Sequence, residues 1–175
     1  MKKVFLASLL AAVSVLGMGH SVYSQSLEVA MGETPAAPAL HSAGGVNYFS
    51  SVNTKAMRNF KKMFTAVEDE KWYEYKGAYA AVFMTDDVRF RVEYDNRGNW
   101  SATEKDYFEA KLDRDVRKIV KREYFDYTIS SIREITTNEF FTDPVYIIHI
   151  EDAKSFKNVV VYDGEMGVVD AYLKN

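Results

Sequence analysis

His149 is the one imidazole base that the sequence places in a region expected to fold, because His20 and His41 fall in the N-terminal segment. A serine nucleophile needs such a base within hydrogen-bond reach, and the sequence has no Gly-x-Ser-x-Gly motif to present the serine. It also has no cysteine, which excludes thiol catalysis, disulfides, cysteine-bound zinc and a lipid anchor on cysteine. We therefore expect His149 on a sheet face, where its titration would make partner binding sensitive to pH.

Two pairs of carboxylates, Asp86-Asp87 and Glu151-Asp152, are the next candidates for chemistry. Both pairs stand between strand-like segments, at predicted hairpin tips, where acidic residues commonly form turns. Glycoside hydrolysis needs two carboxylates that face each other across a cleft, and separate turn tips do not supply that arrangement. Both pairs are interpreted as turn residues.

The segment Asp95-Asn96-Arg97-Gly98-Asn99 resembles the start of a calcium loop. Arg97 interrupts the ligand pattern, and Asp106 occupies the twelfth position, where such a loop carries glutamate. A hairpin loop explains the segment better. The sequence thus predicts no catalytic residue, no metal site, no cofactor and no enzymatic activity.

The N-terminus has the pattern of a cleaved export signal over residues 1–24. Lys2 and Lys3 precede an apolar run over 4–16, and cleavage is expected near Ser24/Gln25. The run is shorter than the roughly 20 residues that a spanning helix requires, so no membrane span is expected after cleavage. The prediction is a periplasmic protein.

Residues 25–45 have the composition of a flexible linker, with two of the three prolines and a Gly44-Gly45 pair. The chain carries 22 Lys+Arg against 25 Asp+Glu, a net charge of −3, and loss of Lys2 and Lys3 would leave −5. This charge gives no basic excess for nucleic-acid binding.

The folded region is predicted over 46–175 and begins with an amphipathic helix that Asn53 or Ser51 could cap. Strand patterns follow from Trp72, separated by turns at Lys76-Gly77, Asp86-Asp87 and Asp95–Gly98, the last strand being a short one at Trp100 and Ala102. The apolar stripe of the helix consists of Val52, Ala56, Met57, Phe60, Met63, Phe64 and Val67.

The same order of elements then recurs. A second helical stripe runs from Leu112 to Tyr124, with Asp113 as its candidate cap, and strands are predicted at 127–135, 145–150, 156–162 and 168–173. Specific residues align: Phe60 with Val120, Tyr79 with Tyr146, and Val92-Glu93-Tyr94-Asp95 with Val160-Val161-Tyr162-Asp163. The fold class predicted is α+β, a tandem repeat of a helix plus a four-stranded antiparallel meander over 46–104 and 105–175, the second repeat carrying an extra loop at 136–144.

Hairpin geometry assigns side chains to the two faces of each meander. A two-residue turn at Asp86-Asp87 pairs Phe83 with Phe90, Ala81 with Val92 and Tyr79 with Tyr94, and these residues join Trp72 under the helix. In the second repeat the same alternation places Tyr146, Ile148, Ile150, Val160 and Tyr162 in the core.

The remaining side chains form what we call the open face, the face of the sheet that the helices do not cover. The predicted partner-binding residues lie there: Tyr73, Tyr75, Val82, Met84, Arg89, Arg91, Ile147, His149, Val159 and Val161. Tyrosine and arginine are favoured at the energetic centres of interfaces, and the apolar residues supply area.

The motifs Trp72, Tyr79-Ala80-Ala81-Val82-Phe83 and Tyr94-Asp95-Asn96-Arg97-Gly98 resemble those of PepSY-like, β-lactamase-inhibitor-like proteins exported to the periplasm of Gram-negative bacteria. The match covers roughly Val46 to the C-terminus. It departs at Asp113, where many members carry proline; either residue can begin a helix. The resemblance implies a non-enzymatic module that binds protein through its sheet.

The sequence thus predicts an exported binding module that engages or inhibits an unidentified periplasmic protein or peptide. Two structural alternatives remain: the repeats bury this face against each other, or it closes a homodimer. An alternative of another class is a small-ligand carrier with an aromatic pocket between the repeats, lined by Tyr73, Tyr75 and Trp100.

Overall fold

The computed structural model describes residues 52–138 and 143–174. The predicted signal peptide (1–24), the predicted linker (25–45) and Ser51 lie outside the described residues. Within these ranges, no helix combines the length and the hydrophobicity needed to cross a bilayer.

One antiparallel sheet of eight strands, in the order β1 to β8, is the main element of the described chain. A helix precedes the first four strands and another precedes the last four. The elements are α1 (Thr54–Met63), β1 (Lys71–Tyr75), β2 (Ala78–Thr85), β3 (Val88–Tyr94), β4 (Trp100–Tyr107), a 3₁₀ turn (Glu109–Lys111), α2 (Arg114–Glu123), β5 (Thr128–Thr137), β6 (Val145–Glu151), β7 (Ser155–Tyr162) and β8 (Glu165–Leu173).

Both helices begin at the predicted capping residues. The Asn53 side chain accepts a hydrogen bond from the Lys55 amide at 2.8 Å, and Asp113 accepts from the amides of Asp115 and Val116. These bonds satisfy amides that would otherwise lack a partner at the first turn. Asp113 therefore starts α2 without the proline that the resemblance leads one to expect at this position.

The first two hairpins have the predicted turns. Lys76 and Gly77, with φ of 50° and 77°, join β1 to β2, and Asp86 and Asp87, with φ of 48° and 62°, join β2 to β3. Left-handed residues at both central positions match the twist of the paired strands. The predicted register is confirmed: Phe83 pairs with Phe90, Ala81 with Val92 and Tyr79 with Tyr94.

Two apolar clusters form the core. The first packs Phe60 of α1 against Trp72, Phe83 and Val92, with ring centroids of Phe60 and Trp72 5.5 Å apart. The second packs Val120 of α2 against strands β4 to β7, and its fully buried members include Ile148 and Val159.

The register places both clusters on the same face of the sheet. Val92 of the first cluster pairs with Thr103 on β4, and Tyr107, four residues further along β4, belongs to the second cluster. Tyr107 pairs with Ile132, and Ile132 pairs with Ile148. Since residues two apart share a face, α1 and α2 cover one face, and the open face is continuous across the strands.

The face assignment predicted for β7 is wrong by one residue. Val159 and Val161 pair with Ile148 and Tyr146 and lie in the core under α2, whereas Val160 and Tyr162 lie on the open face. Valines 159, 160 and 161 are all buried, so hydrophobicity does not reveal the alternation here. The alignment of β7 with β3 therefore depended on the turns that follow Tyr94 and Tyr162, and these two turns differ in length.

β4 is longer than the short strand predicted at Trp100 and Ala102, because it continues to Tyr107. The additional residues Thr103-Glu104-Lys105-Asp106 are mostly polar and show no apolar alternation. β4 also runs beyond residue 104, where the first predicted repeat ends. This length brings Glu104 and Asp106 onto the open face, opposite Arg91 and Arg89.

Candidate functional site

The open face carries all the predicted residues of the first four strands and, of the four predicted in the second four strands, Ile147 and His149. It also carries polar side chains that the sequence analysis did not assign. Its residues include Tyr73, Tyr75, Val82, Met84, Arg89, Arg91, Glu93, Glu104, Asp106, Arg133, Ile135, Ile147, His149, Asn158 and Val160. Val159 and Val161, by contrast, are core residues and have no place on this surface.

Arg91 organises the β1–β3 side of the open face. Its guanidinium lies over the ring of Tyr75, 5.4 Å from the centroid, and its Nε donates to Glu93 Oε1 at 2.7 Å. Burial disfavours the charged form of Arg91, yet the hydrogen bond to Glu93 and its charge hold the pKa above its usual value. Burial, followed by the charge of Glu93, raises the pKa of Tyr75. The contacts with Tyr75 and Glu93 thus hold the Arg91 side chain in one position on the sheet surface.

A second group of charges lies at the join of β4 and β5. Arg133 donates to both carboxylate oxygens of Asp106, at 2.7 and 3.3 Å, and Arg89 approaches the same carboxylate at 3.5 Å. The Arg133–Asp106 contact is a two-pronged pair, the geometry in which a guanidinium fixes a carboxylate most firmly. These side chains remain about one-third exposed, so they are available at the surface while paired.

Glu104 lies between these two groups. It pairs in register with Arg91 on β3 and with Ile135 on β5. Burial raises the pKa of the half-buried Glu104, although the charges of Arg133 and Arg91 act in the opposite direction. Among the described residues, none forms a hydrogen bond or ion pair with its carboxylate.

Apolar side chains border the charged centre, and they are exposed on one side and buried on the other. On the side of β1 and β2, Met84 and Tyr75 are 62% and 38% exposed. On the other side, Ile135 and Val160 are buried although neither belongs to the two helix-facing clusters. The open face therefore combines a charged centre with apolar side chains on both flanks.

His149 is held in a row of polar side chains that crosses β6, β7 and β8. Its Nδ1 is 2.9 Å from Asn158 Oδ1, and Asn158 Nδ2 is 3.4 Å from Asp170 Oδ2. Phe156 packs beside the imidazole with centroids 5.7 Å apart. Since an amide oxygen only accepts, Nδ1 carries the proton in the neutral ring, and Nε2 is left as the acceptor.

The other candidates for chemistry are turn residues, as predicted, except Glu151, which ends β6 and forms an ion pair with Lys174 at 2.7 Å. Asp95 accepts from the amides of Arg97 and Asn99, both at 2.8 Å, which closes the β3–β4 loop. Asp152 accepts from the amides of Lys154 and Ser155, and these bonds lower its pKa to about 2. In the described ranges no three potential ligand side chains come together to hold a metal ion.

Trp100 does not join the tyrosines of β1. It packs against the first core cluster on the helix-covered face, and its Nε1 donates to Thr103 Oγ1 at 2.9 Å. Tyr73 and Tyr75 lie on the other face of the sheet. The predicted aromatic pocket that contains all three residues is therefore wrong.

Solved structures resemble this chain over most of the described region. A DUF2874 family protein from Bacteroides uniformis has a TM-score of 0.55 at 13% identity, over 70% of this chain and 89% of that protein. A BLIP-like protein from Bacteroides fragilis has a TM-score of 0.55 at 18% identity, over 69% of this chain and 85% of that protein. This chain has a BLIP-like fold.

The BLIP-like fold confirms the predicted resemblance to β-lactamase-inhibitor-like proteins. A crystal structure of a putative periplasmic protein from Bacteroides eggerthii is also similar, with a TM-score of 0.54 at 17% identity over 69% of this chain and 88% of that protein. No protein-family model and no curated protein matches the sequence.

Sequence reasoning missed Glu104, Asp106, Arg133 and Asn158 as members of this surface. The predicted β4 ended before Glu104, and no face was assigned to the strand that contains Arg133. Charged residues in a strand indicate exposure without indicating which face they share. The signal that could have placed them is the register of Arg89 and Arg91 against their neighbours on β4.

Proposed function

We propose that the protein is an exported, non-enzymatic module that engages or inhibits a periplasmic protein or peptide through the open face. The observation that carries this proposal is the continuous surface opposite both helices, where paired arginines and exposed tyrosine and methionine side chains lie together. Arginine and tyrosine anchor many interfaces, and apolar neighbours exclude water from them.

The rigidity of the surface supports a binding role. Arg91 is fixed by Glu93 and Tyr75, and Arg133 is fixed by Asp106. All of them project from paired strands rather than from loops. A surface held in one arrangement loses little conformational entropy when a partner binds.

The periplasmic location rests on the N-terminal pattern, with cleavage near Ser24/Gln25, and on the similarity to the putative periplasmic protein from Bacteroides eggerthii. The absence of enzymatic activity is inferred because His149 donates to Asn158, and the carboxylates of Asp95 and Asp152 accept backbone amides in turns. The PepSY-like part of the resemblance belongs to this proposal as well.

We also infer that residues 46–104 and 105–175 are tandem repeats. The order of elements supports this, since each half consists of a helix followed by four antiparallel strands. So does the equivalent position of Phe60 and Val120, each fully buried at the centre of its own cluster.

A pull-down from periplasmic extract tests the binding role. The bait proteins are the exported wild type, a Tyr73→Ala/Arg91→Ala variant on the open face, and an Arg58→Ala/Lys62→Ala control on the exposed side of α1. We expect the wild type and the control to capture the same protein, and the open-face variant to lose it.

The other results have distinct meanings. Capture that all three proteins share, or that only the α1 variant loses, would contradict binding through the open face. A copurified small molecule without any protein would favour the carrier alternative, and self-association lost in the open-face variant would favour the homodimer.

A further inference from the structure

The centre of the open face is a cluster of six charged residues on β3, β4 and β5. We call it the charged cluster: Arg89, Arg91, Glu93, Glu104, Asp106 and Arg133. It holds as many acids as arginines, yet the pairing is uneven. Asp106 forms ion pairs with both Arg89 and Arg133, and Glu93 forms an ion pair with Arg91. Glu104 is left without an ion-pair partner in the described part of the chain.

Because of its position, Glu104 destabilises the folded state while it has no ion-pair partner. Its carboxylate lies half-buried between strands, where charge is poorly solvated, and burial raises its pKa despite the nearby arginines. Arg91 directs its Nε to Glu93, and Arg133 directs its guanidinium to Asp106. The described part of the chain therefore keeps an unpaired carboxylate at the centre of the open face.

We propose that a bound partner places one basic side chain, lysine or arginine, against the Glu104 carboxylate. This inference rests on the proposed function, because it specifies the partner that the open face accepts. A cation supplies the donors that Glu104 lacks, and Glu93 and Asp106 already neutralise the arginines that would otherwise repel it. The accessible apolar side chains, Tyr75 and Met84 on one side and the half-buried Ile147 on the other, fit apolar neighbours of that basic residue.

Panning a phage-displayed library of random short peptides tests this inference. The targets are the exported full chain, Glu104→Gln, and the control Glu123→Gln, which removes the same charge from an exposed position at the end of α2. We expect the wild type and Glu123→Gln to select peptides with one basic residue between apolar ones. These peptides should bind Glu104→Gln at least about tenfold more weakly.

The salt and pH dependence of the selected peptides gives a second readout. Binding to the wild type should weaken as salt screens the pair, and it should weaken as pH falls and Glu104 is protonated. Glu104→Gln should lose most of the pH dependence. Because glutamine removes a poorly solvated charge, this variant should remain folded, with an unfolding midpoint at neutral pH at least as high as that of the wild type.

The results separate the inference from the proposed function. Peptides that bind Glu104→Gln as tightly as the wild type, or that share no basic residue, overturn the role of Glu104. The open face remains a binding surface in that case if Tyr73→Ala/Arg91→Ala abolishes their binding. Failure to select any peptide that this double variant loses contradicts both.

Discussion

Tyr94 and Tyr107 are both buried on the helix-covered face, but only one hydroxyl is hydrogen-bonded to another described residue. Tyr107 donates to Glu134 Oε2 at 2.7 Å, whereas the Tyr94 hydroxyl has no partner among the described residues. Burial raises the pKa of both phenols, and Glu134 raises that of Tyr107 further. A buried polar group contributes to stability only when its hydrogen bond is made.

Replacement of each tyrosine by phenylalanine tests this difference. Tyr107→Phe should lower the free energy of unfolding by about 1–2 kcal/mol, because Glu134 loses a donor and keeps only Lys105. Tyr94→Phe should change it by less than about 0.5 kcal/mol, or raise it, because the buried hydroxyl it removes makes no bond. Urea denaturation measures both values. Equal losses in the two variants would show that the Tyr94 hydroxyl is bonded in solution.

At the scale of elements, the β3–β4 loop and the start of α1 support each other. Gly98 adopts a φ of 75°, and a Cβ added there would lie 2.6 Å from Asn53 Oδ1 and 2.9 Å from the Ala56 amide nitrogen. Asn53 is the residue that caps α1. Gly98 is therefore required both by its backbone conformation and by the close approach of the helix.

Gly164 in the β7–β8 turn provides a matched comparison, because its φ is 72° and no atom lies within 4 Å of an added Cβ. Gly164→Ala should cost about 1 kcal/mol from backbone strain alone. Gly98→Ala should cost at least about 1 kcal/mol more, since the methyl group also displaces the cap. Chemical denaturation of the two variants compares these costs. Similar losses of stability in the two variants would mean that the β3–β4 loop moves away from α1 at no cost in free energy.

At the scale of the whole molecule, the join between β4 and β5 makes the two halves one sheet. The strands pair from Ala102↔Thr137 to Tyr107↔Ile132, and the ion pairs Arg133–Asp106 and Lys105–Glu134 cross the same join. Unfolding of one half exposes this edge and breaks these contacts. We therefore expect the folded region to unfold as one cooperative unit.

The tryptophans allow this cooperativity to be measured, since Trp72 and Trp100 both lie in the first half. Val120→Ala, a change on the buried side of α2 in the second half, should lower the free energy of unfolding by roughly 2 kcal/mol. The unfolding midpoints measured by tryptophan fluorescence and by far-UV circular dichroism should shift by the same amount. The exposed control Glu123→Ala should shift neither. A fluorescence midpoint that stays unchanged in Val120→Ala would mean that the halves unfold separately.

The first three strands were predictable because their signals are local. A two-residue turn at Asp86-Asp87 determines the pairing of Phe83 with Phe90, and the alternation of apolar and polar residues in β3 then assigns both faces. The caps at Asn53 and Asp113 were predictable for the same reason, since each depends on residues within one helical turn.

In the second half, the residue alignment misled the prediction. Tyr94 precedes a loop that runs from Asp95 to Asn99, whereas Tyr162 precedes the tight turn Asp163-Gly164 and pairs with Glu165. Aligning the two tyrosines therefore shifts β7 by one residue, and a shift of one residue exchanges the faces. The run of buried valines contains no alternation that could correct it.

By itself, the amino-acid sequence determined the helices and their caps, the tight turns of the first hairpins and the α+β class, because these depend on neighbours a few residues apart. Tertiary structure decided that both helices cover one face, that Val159 and Val161 are core residues, and that Glu104 lies unpaired among Arg91, Arg133 and Ile135. The physical reason is that strand register across β4 and β5 joins residues about 30 positions apart. No local pattern of hydrophobicity or turn chemistry encodes which charges that register brings together.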